Sequence, residues 1–182
     1  MSKKVRIGFI GSGGIARYQM SKLKDLADVE IVAVSDVSPV ALNLAKKEIG
    51  VEKTFADWKD LLKIKELDAV SVCTPNKLHC DPTIAALNAG LHVLVEKPMA
   101  MNAKEAAKMV EAAKKKKKLL QIGFQWRFTP VAQMLRKQVE SGSLGDIAYV
   151  RVQALRRRGI PNWGVFGRKD LQGGGPMIDI GV

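Results

Sequence analysis

Val5-Arg6-Ile7-Gly8-Phe9-Ile10-Gly11-Ser12-Gly13-Gly14-Ile15-Ala16 is the stretch on which the fold turns. Its first six residues are short and mostly apolar, as a buried strand requires. Glycines follow, and then a helical pattern that runs to about Leu26. Gly11, Gly13 and Ala16 fit the spacing G-x-G-x-x-A. In that pattern the first glycine permits a tight turn out of the strand. The second lets backbone approach a pyrophosphate with no side chain in the way. The small third residue allows close helix–strand packing. The helix opening at Gly14 and Ile15 supplies free N–H groups and the positive end of its dipole. A glycine pattern alone also occurs in tight turns of other α/β domains.

Asp36 strengthens the dinucleotide reading. It stands about 20 residues after the turn, just past the second apolar run, 30–35 (EIVAVS). A carboxylate there hydrogen-bonds the adenosine ribose hydroxyls. It also repels a 2′-phosphate, and no Arg or Lys occurs in Val37-Ser38-Pro39-Val40, so NAD is favoured over NADP. The plainer role for Asp36 is a cap for the helix that starts near Pro39.

Outward from this turn, β-branched runs alternate with amphipathic stretches as far as residue 122. Helices are expected over 39–49, closed by Gly50, and over 82–89, closed by Gly90; a helical turn is expected at Leu61-Leu62. Strands are expected at 69–74, 92–95 and 119–124. Asn102, with Glu105 three positions on, predicts a capped helix whose buried stripe is Ala103, Ala106, Ala107, Val110 and Ala113. Repeated strand–helix–strand order predicts a Rossmann-type, doubly wound parallel sheet with helices on both faces. Residues 1–122 thus read as an NAD(P)-binding domain. After Gly123 the pattern changes to a helix over 129–139, closed by Ser141-Gly142-Ser143. A period-two run over 147–155 (IAYVRVQAL) predicts a half-exposed strand. Arg156 to Arg158 and the glycine-rich stretch to Val182 read as loop and turn. Residues 123–182 read as the beginning of an α+β second domain, too short to be finished.

Composition narrows the function class. Hydrophobic residues are 47% and charged residues 26%, which excludes disorder as the starting assumption. No apolar stretch approaches the ~20 residues of a membrane span, and the apolar segment after Lys4 is too short for a signal-peptide core. With Cys73 and Cys80 the only cysteines, and His79 and His92 the only histidines, neither a disulfide framework nor a metal cluster is suggested. A reducing cytoplasm is the expected compartment. The net charge of +12 raises nucleic acid as a partner. Its largest contribution, Lys114 to Lys118, falls at an expected helix end, where cations suit the dipole. No aromatic or arginine–glycine repeat accompanies it, so the expectation is no nucleic-acid and no membrane partner.

Two further motifs lie at strand ends, where open α/β sheets place their ligands. Thr74-Pro75-Asn76 follows one strand, with His79 three positions on; His79 either lines the cofactor site or starts the next helix. Glu96-Lys97-Pro98 follows the next, putting Lys97 at the rim of the same crevice. A lysine there can orient or deprotonate a substrate hydroxyl, although surface lysines are common in this chain.

The Gly11/Gly13/Ala16 turn, Asp36, Thr74-Pro75-Asn76 with His79, and Glu96-Lys97-Pro98 together resemble the family of glucose–fructose oxidoreductase and inositol dehydrogenase (Gfo/Idh/MocA). Gly123-Phe124-Gln125-Trp126-Arg127-Phe128, Gly173-Gly174-Gly175 and Asp179-Ile180-Gly181 continue the resemblance, which covers essentially the whole chain in order. It implies an NAD(P)-dependent dehydrogenase moving a hydride between nicotinamide and a carbinol of a sugar, polyol or cyclitol. Lys97 would contact the reacting oxygen, Glu96 would belong to the cofactor site, and Asp179 would match the aspartate of a D-x-G-x-H motif. The matching histidine would come one position after Val182, so this chain alone is expected to be inactive. Gln125, Trp126 and Arg127 resemble a stretch facing cofactor and substrate; Trp126 and Arg127 could equally be packing and salt-bridge residues. The resemblance also implies a second domain that closes the site and builds a homo-oligomer. The alternative is a dinucleotide-binding protein without catalysis.

Overall fold

The computed structural model describes residues 4–153, 155 and 164–181. Six strands, β1 (Val5–Ile10), β2 (Val29–Ser35), β3 (Lys53–Phe55), β4 (Ala69–Val72), β5 (His92–Val95) and β6 (Leu120–Ile122), form one sheet in the order β3-β2-β1-β4-β5-β6. Every pairing is parallel. Helices α1 (Gly14–Leu23), α2 (Pro39–Ile49), α4 (Cys80–Asn88) and α5 (Ala103–Lys116) make the main crossovers, and α3 (Trp58–Leu61) is a single turn. This is the expected Rossmann sheet, and its order is the one that defines the dinucleotide-binding form of the fold.

Successive side chains of a strand point to opposite faces. Phe9 therefore packs with Ala16, Met20, Val34 and Ala45 on the α1/α2 side. Its neighbour Ile10 packs with Val70, Val72, Leu87 and Met109 on the other. Both faces are covered by packed side chains, which is why β1 and β4 are apolar apart from Arg6 and Ser71. Removing Met20 or Leu87 to alanine should cost about 2–5 kcal/mol each, since both are fully buried.

Local chemistry sets the helix ends. Ser38 caps α2 by accepting from Ala41 N–H, with Pro39 at the first helical position, and Gly50 closes it at φ 85°. Asp36 is not that cap. Asn102 accepts from Glu105 N–H at 3.0 Å, and Glu105 accepts in return from Met101 N–H at 3.2 Å, so α5 starts as its sequence predicts.

Four expectations need correction. The buried stripe of α5 is Met109 and Ala113, flanked by half-buried Ala106 and Ala112; Ala103, Ala107 and Val110 are exposed. Two stripes of small residues share this helix, and Met109, the larger side chain, decides which one faces the core. β3 is an addition: three residues are too few to show a period, and pairing with β2 creates the strand. Residues 147–153 and 155 form no strand. An alternating run becomes a strand only beside a partner, and no sheet edge reaches it. Lastly, the glycine-rich end contains two short helices, α7 (Lys169–Gln172) and α8 (Pro176–Asp179), where loop was expected. Arg156 to Arg158 and Val182 lie outside the described residues. Between them, α6 (Pro130–Glu140) follows the predicted helix, capped by Thr129. It buries none of its side chains and exposes Val131, Met134, Leu135 and Val139.

Candidate active site

The chain leaves β1 to build one half of the sheet, then returns to β4 on the other side of β1. At that reversal the loops from the two carboxyl ends diverge and open a crevice. The cleft has a volume of about 1160 Å³. That exceeds a typical small-ligand site of roughly 300–1,000 Å³. Its wall includes Gly11, Gly13, Gly14 and Ile15 at one end, Asp36 beside them, and Thr74, Pro75, Asn76, His79, Glu96, Lys97, Gln125 and Asp179.

The glycines of the turn do different work. Gly11 has φ +94°, and a Cβ on it would sit 2.6 Å from the Cys73 carbonyl oxygen, so only glycine lets β1 turn this close to the end of β4. A Cβ on Gly13 or Gly14 would meet no protein atom within 4 Å. Gly13 is the N-cap of α1 with φ −66°, a conformation any residue adopts. Bareness at Gly13 and Gly14 thus leaves room against the first N–H groups of α1, which have no partner inside the helix. A pyrophosphate fits that room and those donors. Ala16 lies elsewhere: it is fully buried under β1 and does not line the cleft. Its contribution is the close helix–strand packing.

Asp36 is held rigidly. One carboxylate oxygen accepts Ser12 N–H at 2.7 Å and the other accepts Ser38 N–H at 2.8 Å. It ties the glycine turn to the start of α2 and still lines the cleft.

His79 starts α4 and also borders the cleft. It is buried with its ring wedged between two loops: Nδ1 lies 2.7 Å from the Pro98 carbonyl and Nε2 2.8 Å from the Thr74 carbonyl. Burial pushes its pKa below the ordinary value, opposed by the two carbonyls. Asn76 Nδ2 donates to the Gln172 carbonyl at 2.9 Å, which fastens α7 over the cleft.

Lys97 follows β5 and begins a cis peptide bond to Pro98. Its Nζ donates to both the carboxylate and the backbone carbonyl of Asp179, each at 2.6 Å. Beneath it, Glu96 is 7% exposed, and burial raises its pKa. Gln125 borders the cleft, whereas Trp126 and Arg127 are exposed and outside its lining. The described residues contain no group of three metal-ligating side chains. No helix among them is long and apolar enough to cross a membrane.

A family model described as an oxidoreductase family with an NAD-binding Rossmann fold matches residues 5–124. The chain belongs to the Gfo/Idh/MocA oxidoreductase family. It is 41% identical over its whole length to the D-glucoside 3-dehydrogenase of Escherichia coli, of which it covers 52%. Over 148 residues it is 35% identical to the myo-inositol 2-dehydrogenase of Thermotoga maritima, covering 81% of this chain and 44% of that one. Among solved structures, the scyllo-inositol dehydrogenase of Lactobacillus casei with NAD(H) and scyllo-inositol aligns with a TM-score of 0.74 at 30% identity, over 79% of this chain and 43% of the other. The chain spans about half the length of the curated relatives it matches.

Within this family fold, several residues at or beneath the cleft carried no signal in the sequence. Trp58, Tyr18, Phe166 and Gln172 line it, and Gln19 reaches Glu96 from α1. None sits in a motif; each arrives through the packing of its helix or segment.

Proposed function

We propose that this chain is the N-terminal part of an NAD-dependent dehydrogenase acting on a carbinol of a sugar, polyol or cyclitol. The observation that carries the reading is the meeting of Lys97 Nζ with Asp179 at the rim of the cleft, on the same wall as Thr74-Pro75-Asn76. A bound nicotinamide dinucleotide would supply the hydride acceptor. Gly13, Gly14 and Ile15 would hold its pyrophosphate and Asp36 its adenosine ribose. Lys97 donates a hydrogen bond to the substrate oxygen and helps move its proton, and Asp179 orients Lys97. His79 and Asn76 fix the loops around that pair. Among the described residues lining the cleft, Lys97 is the one lysine or arginine. The described lining thus offers no lysine or arginine other than Lys97 to receive a 2′-phosphate, which supports NAD over NADP.

We place the dinucleotide domain at residues 1–122 and the beginning of the substrate domain at 123–182. The exposed apolar face of α6 supports that division, and the complete protein is proposed as a homo-oligomer. Cys73 and Cys80, free and buried, fit a reducing cytoplasm. The test is NADH binding and polyol turnover by the full-length protein. Binding with turnover supports the reading. Binding without turnover on any polyol or sugar replaces it with a non-catalytic dinucleotide-binding protein.

A further inference from the structure

We propose that Gln19 is a positioning residue for Glu96 and Lys97: it fixes the Glu96 carboxylate in its slot and through it the backbone from which Lys97 reaches into the cleft. The role of Lys97 rests on the function proposed above.

Four elements meet at Glu96. Gln19 on α1 donates from Nε2 to Glu96 Oε1 at 2.6 Å. Lys97 N–H donates to Glu96 Oε2 at 3.2 Å. Ser71 on β4 donates from Oγ to Gln19 Oε1 at 2.7 Å, and Cys73 Sγ lies 3.6 Å from the same oxygen. Beyond β6, Gly123 leaves room for the carboxylate, since a Cβ there would stand 3.3 Å from its atoms.

The direction of the amide follows from chemistry. An ionised carboxylate only accepts, so the amide NH₂ must face Glu96. The amide oxygen then faces Ser71 and Cys73, both able to donate. Each group therefore determines the next, from Ser71 through Gln19 to Glu96 and the Lys97 backbone. Buried networks of this kind rigidify when every member is satisfied. Gln19 does not line the cleft, so it acts through Glu96 and not on substrate. The titratable groups facing Glu96 are Lys97, which favours its charge, and Cys73, whose thiol burial pushes up to about 12 and leaves neutral.

The experiment uses the full-length protein and Gln19→Met, close in shape but unable to hydrogen-bond. The Glu96 carboxyl is followed by ¹³C NMR, assigned with Glu96→Gln, alongside the pH profile of kcat and the NADH dissociation constant. The Glu96 midpoint should move up, because the charged form loses its shortest hydrogen bond. The acid limb of kcat should move with it, kcat should fall by about tenfold, and NADH affinity should hold within about twofold. An unmoved Glu96 midpoint overturns the proposal, even if kcat falls. Should Gln19→Met not fold, Ser71→Ala is read by the same midpoint, with a smaller shift in the same direction expected. If the wild type turns over no polyol, the dehydrogenase reading fails, while the carboxyl midpoint still decides the role of Gln19.

Discussion

Lys97 and Asp179 are 82 positions apart in the chain and meet at 2.6 Å. One lies two residues past β5 and the other ends α8, the last helical turn among the described residues. Both side chains are 27% exposed, so the pair sits at the mouth of the cleft, partly screened by water. As a stabilising contact such a pair is worth little, about 0–1 kcal/mol. Its position at the ligand-bearing edge of the sheet gives it a chemical reading instead.

Lys97→Met in the full-length protein should lower kcat by roughly 10²–10⁴-fold, the range for a lost proton-transfer group. The NADH dissociation constant should change less than about threefold, because the lysine contributes to the reacting oxygen and not to the pyrophosphate turn. Steady-state kinetics and NADH fluorescence measure both. Surviving turnover removes Lys97 from the chemistry.

Gly11 and Gly13 should respond oppositely to alanine. Gly11→Ala forces a Cβ to 2.6 Å from the Cys73 carbonyl at a positive φ. It should destabilise the fold by about 3 kcal/mol or more. Gly13→Ala meets no protein atom within 4 Å. It should leave the melting temperature unchanged or slightly raised, yet weaken NADH binding by blocking the N–H groups. Thermal melts beside NADH titrations separate the two, and a Gly13→Ala protein that binds NADH normally argues against a pyrophosphate there.

Asp36→Ala removes the acceptor for Ser12 and Ser38 N–H as well as the proposed ribose contact. NADH affinity should drop by about ten- to a hundredfold, in keeping with 1.5–3 kcal/mol for hydrogen bonds to a charged group. NADPH binding should fall less, so the preference for NADH narrows. An unchanged NADH dissociation constant would sink the ribose assignment.

Glu96 gives a pH prediction. Burial raises its pKa above the ordinary 4.5, so the fold favours the neutral carboxyl. Its contribution is fully present below pH 4.5 and is lost as pH rises through the raised native value. Glu96→Gln does not titrate. Its stability relative to wild type should therefore grow as pH rises from 4.5, then level off once the native carboxyl has ionised. Urea unfolding across that range checks the sign; a difference independent of pH would contradict it.

Much of this protein is legible along the chain. The parallel sheet follows from alternating short apolar runs and amphipathic stretches. The turn follows from Gly11 and the cap at Asn102 from its own side chain, whereas α2 is capped by Ser38 where Asp36 was expected. These are local effects, decided by sterics and hydrogen bonds within a few residues. Asp36, Thr74 and Lys97 were legible as strand-end residues for the same reason.

Tertiary structure decided the rest. Which stripe of α5 is buried depended on what Met109 could pack against. The run over 147–155 has the period of a strand, but a strand needs a partner edge. His79 joins the Thr74 and Pro98 carbonyls, Gln19 reaches Glu96 across 77 positions, and Lys97 finds Asp179. Local pattern says which face a side chain takes. It does not say which distant side chain shares that place, because strand order and helix packing set that only once the sheet has closed on its core.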